Sequence, residues 1–159
     1  MGAESSKAGK DFEAKIEHIL KEYGLNYIKS YNVRTITGKR TIDFVIITRI
    51  GKAIIEAKYR DESGQNAAHR YAAEGIFTVM YEYRLLYPND QLIAIVNNLS
   101  ILQPGKQNYI ALLASIGVEV LACEKNGQPE KLLTRKLEEL SGKSTQDINK
   151  KRKTKHKKI

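Results

Sequence analysis

The sequence predicts an α/β fold, a central mixed five-stranded sheet flanked by helices. Short runs rich in Ile, Val and Ala recur at 42–47, 53–57, 92–96 and 118–123, each of strand length. Other segments return an apolar residue every three or four positions, the helical period. The order, a helix, three strands in close succession, then strands separated by helices, requires a mixed sheet sandwiched between helices.

From about Ser5 to Tyr23, the residues Phe12, Ile16, Ile19, Leu20 and Tyr23 share one helical face, and Gly24 stops the run. Leu25 to Val33 alternates loosely as a first strand, and Thr37-Gly38-Lys39-Arg40 is the expected turn into the second. Arg49-Ile50-Gly51-Lys52 turns into the third, so an antiparallel meander follows the first helix. Asp61-Glu62-Ser63-Gly64 ends that strand, and Gln65 to about Tyr87 reads as a long helix, weakened by Gly75 and broken by Pro88-Asn89-Asp90. Leu92 to Val96 has the continuous apolar character of a strand covered on both faces. A helix is expected over 107–115, a fifth strand from Val118 to Cys123, a turn at Asn126-Gly127, and a last helix from Pro129 to Leu140 with Pro in its first turn.

At 159 residues the chain suits one domain, expected over 1–142. No run approaches the roughly 18 apolar residues of a membrane span, and Glu4, Lys7, Lys10 and Asp11 break any secretory signal, so the expected location is inside the cell. The single cysteine, Cys123, excludes an internal disulfide and a multi-cysteine metal cluster, and reads as a buried structural thiol. The net charge of +9 is concentrated at the end: residues 143–159 hold eight Lys/Arg and one Asp, which leaves the body close to neutral. This tail is expected to be disordered, with Lys150, Lys151, Arg152 and Lys153 as candidate DNA-binding residues through diffuse attraction to phosphates; a nuclear address or a solubility tail reads equally well.

Two expected strands carry charge where apolar side chains should dominate. A half-buried carboxylate costs several kcal/mol unless compensated, which marks Asp43, Glu56 and Lys58 as chemical rather than structural. Glu56 and Lys58 project to the same side of their strand, and the adjacent strand can bring Asp43 beside them. Two carboxylates and an ammonium at a sheet edge suit a hard divalent cation and an activated water.

Asp43, followed by Glu56-Ala57-Lys58 on the next strand, resembles the PD-(D/E)XK nuclease signature, with Ile42 in place of its proline, and the element order resembles the restriction-endonuclease-like fold. Gly9-Lys10-Asp11-Phe12-Glu13, opening a helix that closes at Tyr23-Gly24, is similar to the start of archaeal Holliday junction resolvases and Mrr-type restriction enzymes. In those families a glutamate of the first helix joins the active site, and Glu13 is the matching position, with Glu17 one turn away. Lys58 to Gly64 is similar to the segment after the lysine in several type II restriction nucleases. Ser30 lies near the position of the resolvases' active-site serine, after a longer intervening segment.

The resemblance implies Mg²⁺, with Mn²⁺ as substitute, held by Asp43, Glu56, the Ala57 carbonyl and Glu13, and catalysis by Glu13, Asp43, Glu56 and Lys58. Lys58 would hold or deprotonate the attacking water. A restriction or homing endonuclease acting on duplex DNA is the leading reading; a small nuclease that cuts both strands must present two sites, so a homodimer or higher symmetric oligomer is expected. A junction resolvase and a non-catalytic basic DNA-binding protein are the alternatives. Gln65, His69 and Arg70 read as a solvated helix start rather than as site residues, and Tyr81, Tyr83 and Tyr87 as core or dimer packing rather than a base-stacking surface.

Overall fold

Helix α1 (Ala3–Glu22) ends where Gly24, at φ 63°, lets the chain reverse. The Gly24 N–H donates to the Lys21 carbonyl and the Leu25 N–H to that of Leu20, the paired closing bonds of a left-handed glycine cap. The chain then forms β1 (Tyr27–Thr35), β2 (Gly38–Thr48) and β3 (Gly51–Lys58). Helix α2 (Asn66–Leu86) leads to β4 (Gln91–Val96), a 3₁₀ turn (Leu99–Leu102), α3 (Tyr109–Ser115), β5 (Val118–Ala122) and α4 (Glu130–Ser144). This computed structural model describes residues 3–49, 51–60, 66–123 and 130–144. The turns expected at Asp61–Gly64 and Asn126-Gly127, Gln65, and the basic residues Lys150, Lys151, Arg152 and Lys153 lie outside the described residues.

The five strands form one mixed sheet in the order β1-β2-β3-β4-β5, antiparallel from β1 to β3 and parallel from β3 to β5. Phe12, Ile16 and Leu20 of α1 and Leu133, Leu137 and Leu140 of α4 pack with Phe44, Ile46, Ile55 and Ile93 on one face. On the other, Ala73, Ile76, Met80 and Tyr83 of α2 and Leu113 of α3 pack with Val45, Ile54, Leu92 and Val96. Central β3 and β4 are covered on both sides, so Ala53 to Ala57 and Leu92 to Val96 are buried throughout.

Several expected boundaries shift. The first strand begins two residues later than Leu25 and continues to Thr35, because the β1–β2 turn is Ile36-Thr37 and Gly38 to Arg40 already belong to β2. Helix α4 runs to Ser144, past the expected domain limit at 142. The 3₁₀ turn, capped by the Asn98 side chain on the Ser100 N–H, had no periodic signal.

The β1–β2 hairpin changes partner helix halfway along. Tyr27 packs on the α1 side, whereas Tyr31 and Val33 pack against α2, although all three are odd-numbered and a regular strand would keep them on one face. In β2, Phe44 lies on the α1 side and Ile42 on the α2 side. Both strands therefore slip one step at the same place, between the paired Lys29↔Phe44 and Tyr31↔Ile42, where Ser30 adopts φ 55°. A non-glycine residue in the left-handed region requires support from its surroundings.

The distal hairpin is pinned to α2 by Glu82. This nearly buried carboxylate accepts from Arg40 Nε at 2.7 Å, from the Thr35 hydroxyl at 3.2 Å and from the Thr37 hydroxyl. These bonds hold its carboxyl below the usual range, the Arg40 bond first. Glu82→Ala leaves the Arg40 guanidinium and the Thr37 hydroxyl without this acceptor, while the Thr35 hydroxyl keeps the Gly38 carbonyl, and should cost about 2–3 kcal/mol. The expected result is a lower urea midpoint at unchanged m; an unchanged midpoint would show that the hairpin is not held this way.

Candidate active site

The β2–β3 ladder runs from Thr48↔Gly51 to Phe44↔Ile55 and is then taken over by side chains. The Asp43 N–H donates to Glu56 Oε1 at 2.9 Å, and the Ala57 N–H donates to Asp43 Oδ2 at 2.8 Å. Each carboxylate thus replaces a strand-to-strand carbonyl, which locks both acids where the strands separate. The slip at Ser30/Asp43 lies at this same point.

Both carboxyls are pushed far up from their ordinary values, Asp43 to about 7 and Glu56 to about 8. Burial is the main cause for each. For Glu56 the Asp43 charge comes next among the causes that raise it; for Asp43 the Glu13 carboxyl adds both charge and a hydrogen bond. Lys58 and the backbone N–H groups pull the other way without prevailing. Glu13 therefore meets Asp43 from α1. Glu17, one turn on, has other partners: it accepts from the Tyr27 hydroxyl at 2.8 Å and from Lys29 Nζ at 3.4 Å. The structure thus brings together Glu13, Asp43, Glu56, Ala57 and Lys58.

Asn97, which carried no sequence signal beyond a polar residue closing an apolar strand, fixes the chain just past Lys58. Its Oδ1 accepts from the Arg60 N–H at 2.9 Å, its Nδ2 donates to the Arg60 carbonyl at 2.8 Å, and its backbone N–H donates to the Lys58 carbonyl at 3.3 Å. Tyr59 packs on Phe12 with ring centroids 5.8 Å apart, tying this segment to the helix that carries Glu13.

Other candidates fall outside the cluster. His69 is buried rather than solvated, because it continues the sheet-facing stripe of Ala72, Ala73 and Ile76; Arg70 is exposed and bonds Gln107 Oε1 at 2.9 Å. Tyr83 is core, its hydroxyl donating to Asp90 Oδ2 at 2.7 Å, while Tyr81 is partly exposed and stacks on Phe77. Cys123 is a buried cysteine outside any disulfide.

Among the described residues no group of three His, Cys, Asp or Glu side chains is arranged to hold a metal ion by itself. Asp43 and Glu56 with the Ala57 carbonyl form an all-oxygen donor set, which suits a hard cation that retains several waters. Two carboxyls whose ionisation is opposed by burial and by neighbouring carboxyls are also what a divalent cation would ionise. On both grounds the residues fit Mg²⁺ or Mn²⁺.

A pH dependence follows for the metal-free protein. Asp43 and Glu56 titrate higher folded than unfolded, so the folded state holds protons that the unfolded chain releases. Their contribution to stability is present in full below about pH 4 and declines as pH rises through 7 to 8. Melting temperatures in EDTA should fall across this window, and the fall should be smaller in Glu56→Gln, whose amide keeps the acceptor for Asp43. An identical decline in Glu56→Gln would place the titrating groups elsewhere.

No protein-family model matches the sequence, and no curated protein matches it. Among solved structures, a protein described as of unknown function, AF1548, is similar at a TM-score of 0.49 and 12% identity, over 70% of this chain and 57% of that one. The chain thus spans under two thirds of that protein's length. Among the described residues no helix is long and apolar enough to cross a membrane.

Proposed function

We propose that this chain is a Mg²⁺-dependent endodeoxyribonuclease that hydrolyses phosphodiester bonds in duplex DNA, of the restriction or homing kind and with the PD-(D/E)XK arrangement. The observation that carries it is the pair of carboxylates, Asp43 and Glu56, that replace the ladder where β2 and β3 separate, with Lys58 two residues on and Glu13 leaning on Asp43. Two acids raised toward neutrality by burial at one point of a sheet, beside a lysine, are what a site for charge chemistry requires, which supports this reading.

Asp43, Glu56 and the Ala57 carbonyl would hold the metal, with Glu13 on its outer side. Bound there, Mg²⁺ would supply charge to the developing phosphorane and acidify water. Lys58, as an ammonium, would aim the attacking water and shield the developing phosphorane as the new P–O bond forms and the bond to the leaving oxygen breaks; the water's proton passes to solvent, and the leaving oxygen collects one from solvent. Asn97 and the Phe12–Tyr59 contact hold Lys58 and Glu13 at fixed positions. Cleavage of both strands calls for two such sites, hence a symmetric homodimer.

The test is incubation with plasmid, linear duplex, single-stranded and four-way-junction DNA, each with Mg²⁺ and with EDTA. Mg²⁺-dependent discrete fragments from duplex support the proposal. Cleavage confined to the junction would reassign the site to resolution of branched DNA. Binding without cleavage of any substrate would overturn catalysis.

A further inference from the structure

Beyond the slip at Ser30/Asp43, the hairpin outruns the rest of the sheet. β3 ends at Lys58, while β2 begins at Gly38, five residues before Asp43, so the turn stands roughly 17 Å past the carboxylates. With Tyr31, Val33, Thr35, Arg40 and Ile42 turned toward α2, the opposite ribbon face presents Asn32, Arg34, Lys39 and Thr41, all exposed. Asp43 lies on this same side, since it meets Glu13 of α1.

Arg34 and Lys39 stand directly opposite each other, a like-charge pair that costs a sheet stability, and neither has an ion-pair partner among the described residues. Between them the turn holds up Ile36, 74% exposed. The turn is not loose, since Thr35, Thr37 and Arg40 on either side of Ile36 are all bonded to Glu82. A rigid ribbon with two uncompensated cations, an apolar tip and an acid cluster at its base is matched to a polyanion that also presents apolar groups.

We infer that the β1–β2 ribbon enters the major groove of duplex DNA, with Arg34 and Lys39 on phosphates and Ile36 against thymine methyl groups. The B-form major groove, about 12 Å wide, admits a two-stranded ribbon and displays those methyls, whereas the A-form groove of duplex RNA is too narrow. The reach of roughly 17 Å exceeds that width, so the tip can contact bases while a backbone phosphate lies at Asp43 and Glu56. The inference rests on the duplex-DNA reading above and names the element that would engage the substrate.

Binding of the full chain in EDTA, where cleavage plays no part, tests it. Alternating dA–dT and dA–dU duplexes differ only in the thymine methyl. The wild type should prefer dA–dT roughly fourfold, as expected for one buried methyl-sized group, and Ile36→Ser should lose that preference. The double variant Arg34→Gln/Lys39→Gln should lower the slope of log K against log salt by about 1.8. Melting temperatures verify folding, and all three positions are exposed. A persistent methyl preference in Ile36→Ser, an unchanged salt slope, or tighter binding of an RNA duplex would overturn the inference. Cleavage with Mg²⁺ but no change in these binding terms would leave the nuclease reading standing without the ribbon. The binding changes without any cleavage would do the reverse.

Discussion

Asp43→Asn and Glu56→Gln are each expected to reduce cleavage by at least about a thousandfold while the protein stays folded and still binds DNA. The amides are better tests than alanine. Asp43 Oδ2 accepts from the Ala57 N–H and Glu56 Oε1 from the Asp43 N–H, so truncation would strand a partly buried donor at about 1–3 kcal/mol, whereas Asn or Gln keeps an acceptor and removes only the charge. Neutralising Asp43 also relieves the repulsion that raises Glu56, which favours rather than impairs approach of a phosphate. Lys58→Ala should lose at least about a hundredfold. Glu13→Gln should be milder than Asp43→Asn, and Glu17→Gln close to neutral for activity, because Glu17 is engaged with Tyr27 and Lys29. Near-normal turnover in either Asp43→Asn or Glu56→Gln would remove the proposed site.

Mg²⁺ and Mn²⁺ should support cleavage, Ca²⁺ should support binding without it, and EDTA should abolish it. Every candidate ligand among Glu13, Asp43, Glu56 and the Ala57 carbonyl is an oxygen, so Ca²⁺ can occupy the set, but its looser coordination polarises water less. The same cations should raise the melting temperature more at pH 8 than at pH 5.5. At the lower pH they must displace protons that Asp43 and Glu56 hold tightly, and at the higher pH those protons are already leaving. Robust hydrolysis in EDTA would sink the mechanism, since Lys58 alone could not neutralise a pentavalent phosphate.

Much of the architecture was legible because its signals are local. Phe12, Ile16, Ile19 and Leu20 set the period of α1, Gly24 its end, and the apolar runs of β3 and β4 their burial on both faces. Asp43, Glu56 and Lys58 stood out for a related reason: charge inside such runs is costly and needs a use. Boundaries were less legible where polar residues serve a strand. Gly38 to Arg40 look like a turn, yet Arg40 and Thr35 are strand residues satisfied by Glu82, fully 42 and 47 positions away. Likewise His69 has the composition of an exposed helix start and is buried only because the sheet lies beneath it.

By itself, then, the sequence determined the element order, the two-sided core and the placing of Asp43 and Glu56 inside apolar strands, since these depend on periodicity and on the cost of a charge among apolar neighbours. Only the tertiary structure decided that Glu13 rather than Glu17 meets Asp43, that the ladder yields to carboxylate bonds at Asp43 and Glu56, and that the hairpin slips at Ser30 to present Arg34, Ile36 and Lys39. The physical reason is that helical positions one turn apart share nearly the same face, and a one-residue slip in a strand leaves its composition unchanged. Which side chain arrives at the site is fixed by how helix and sheet pack, at distances in sequence that no local pattern spans.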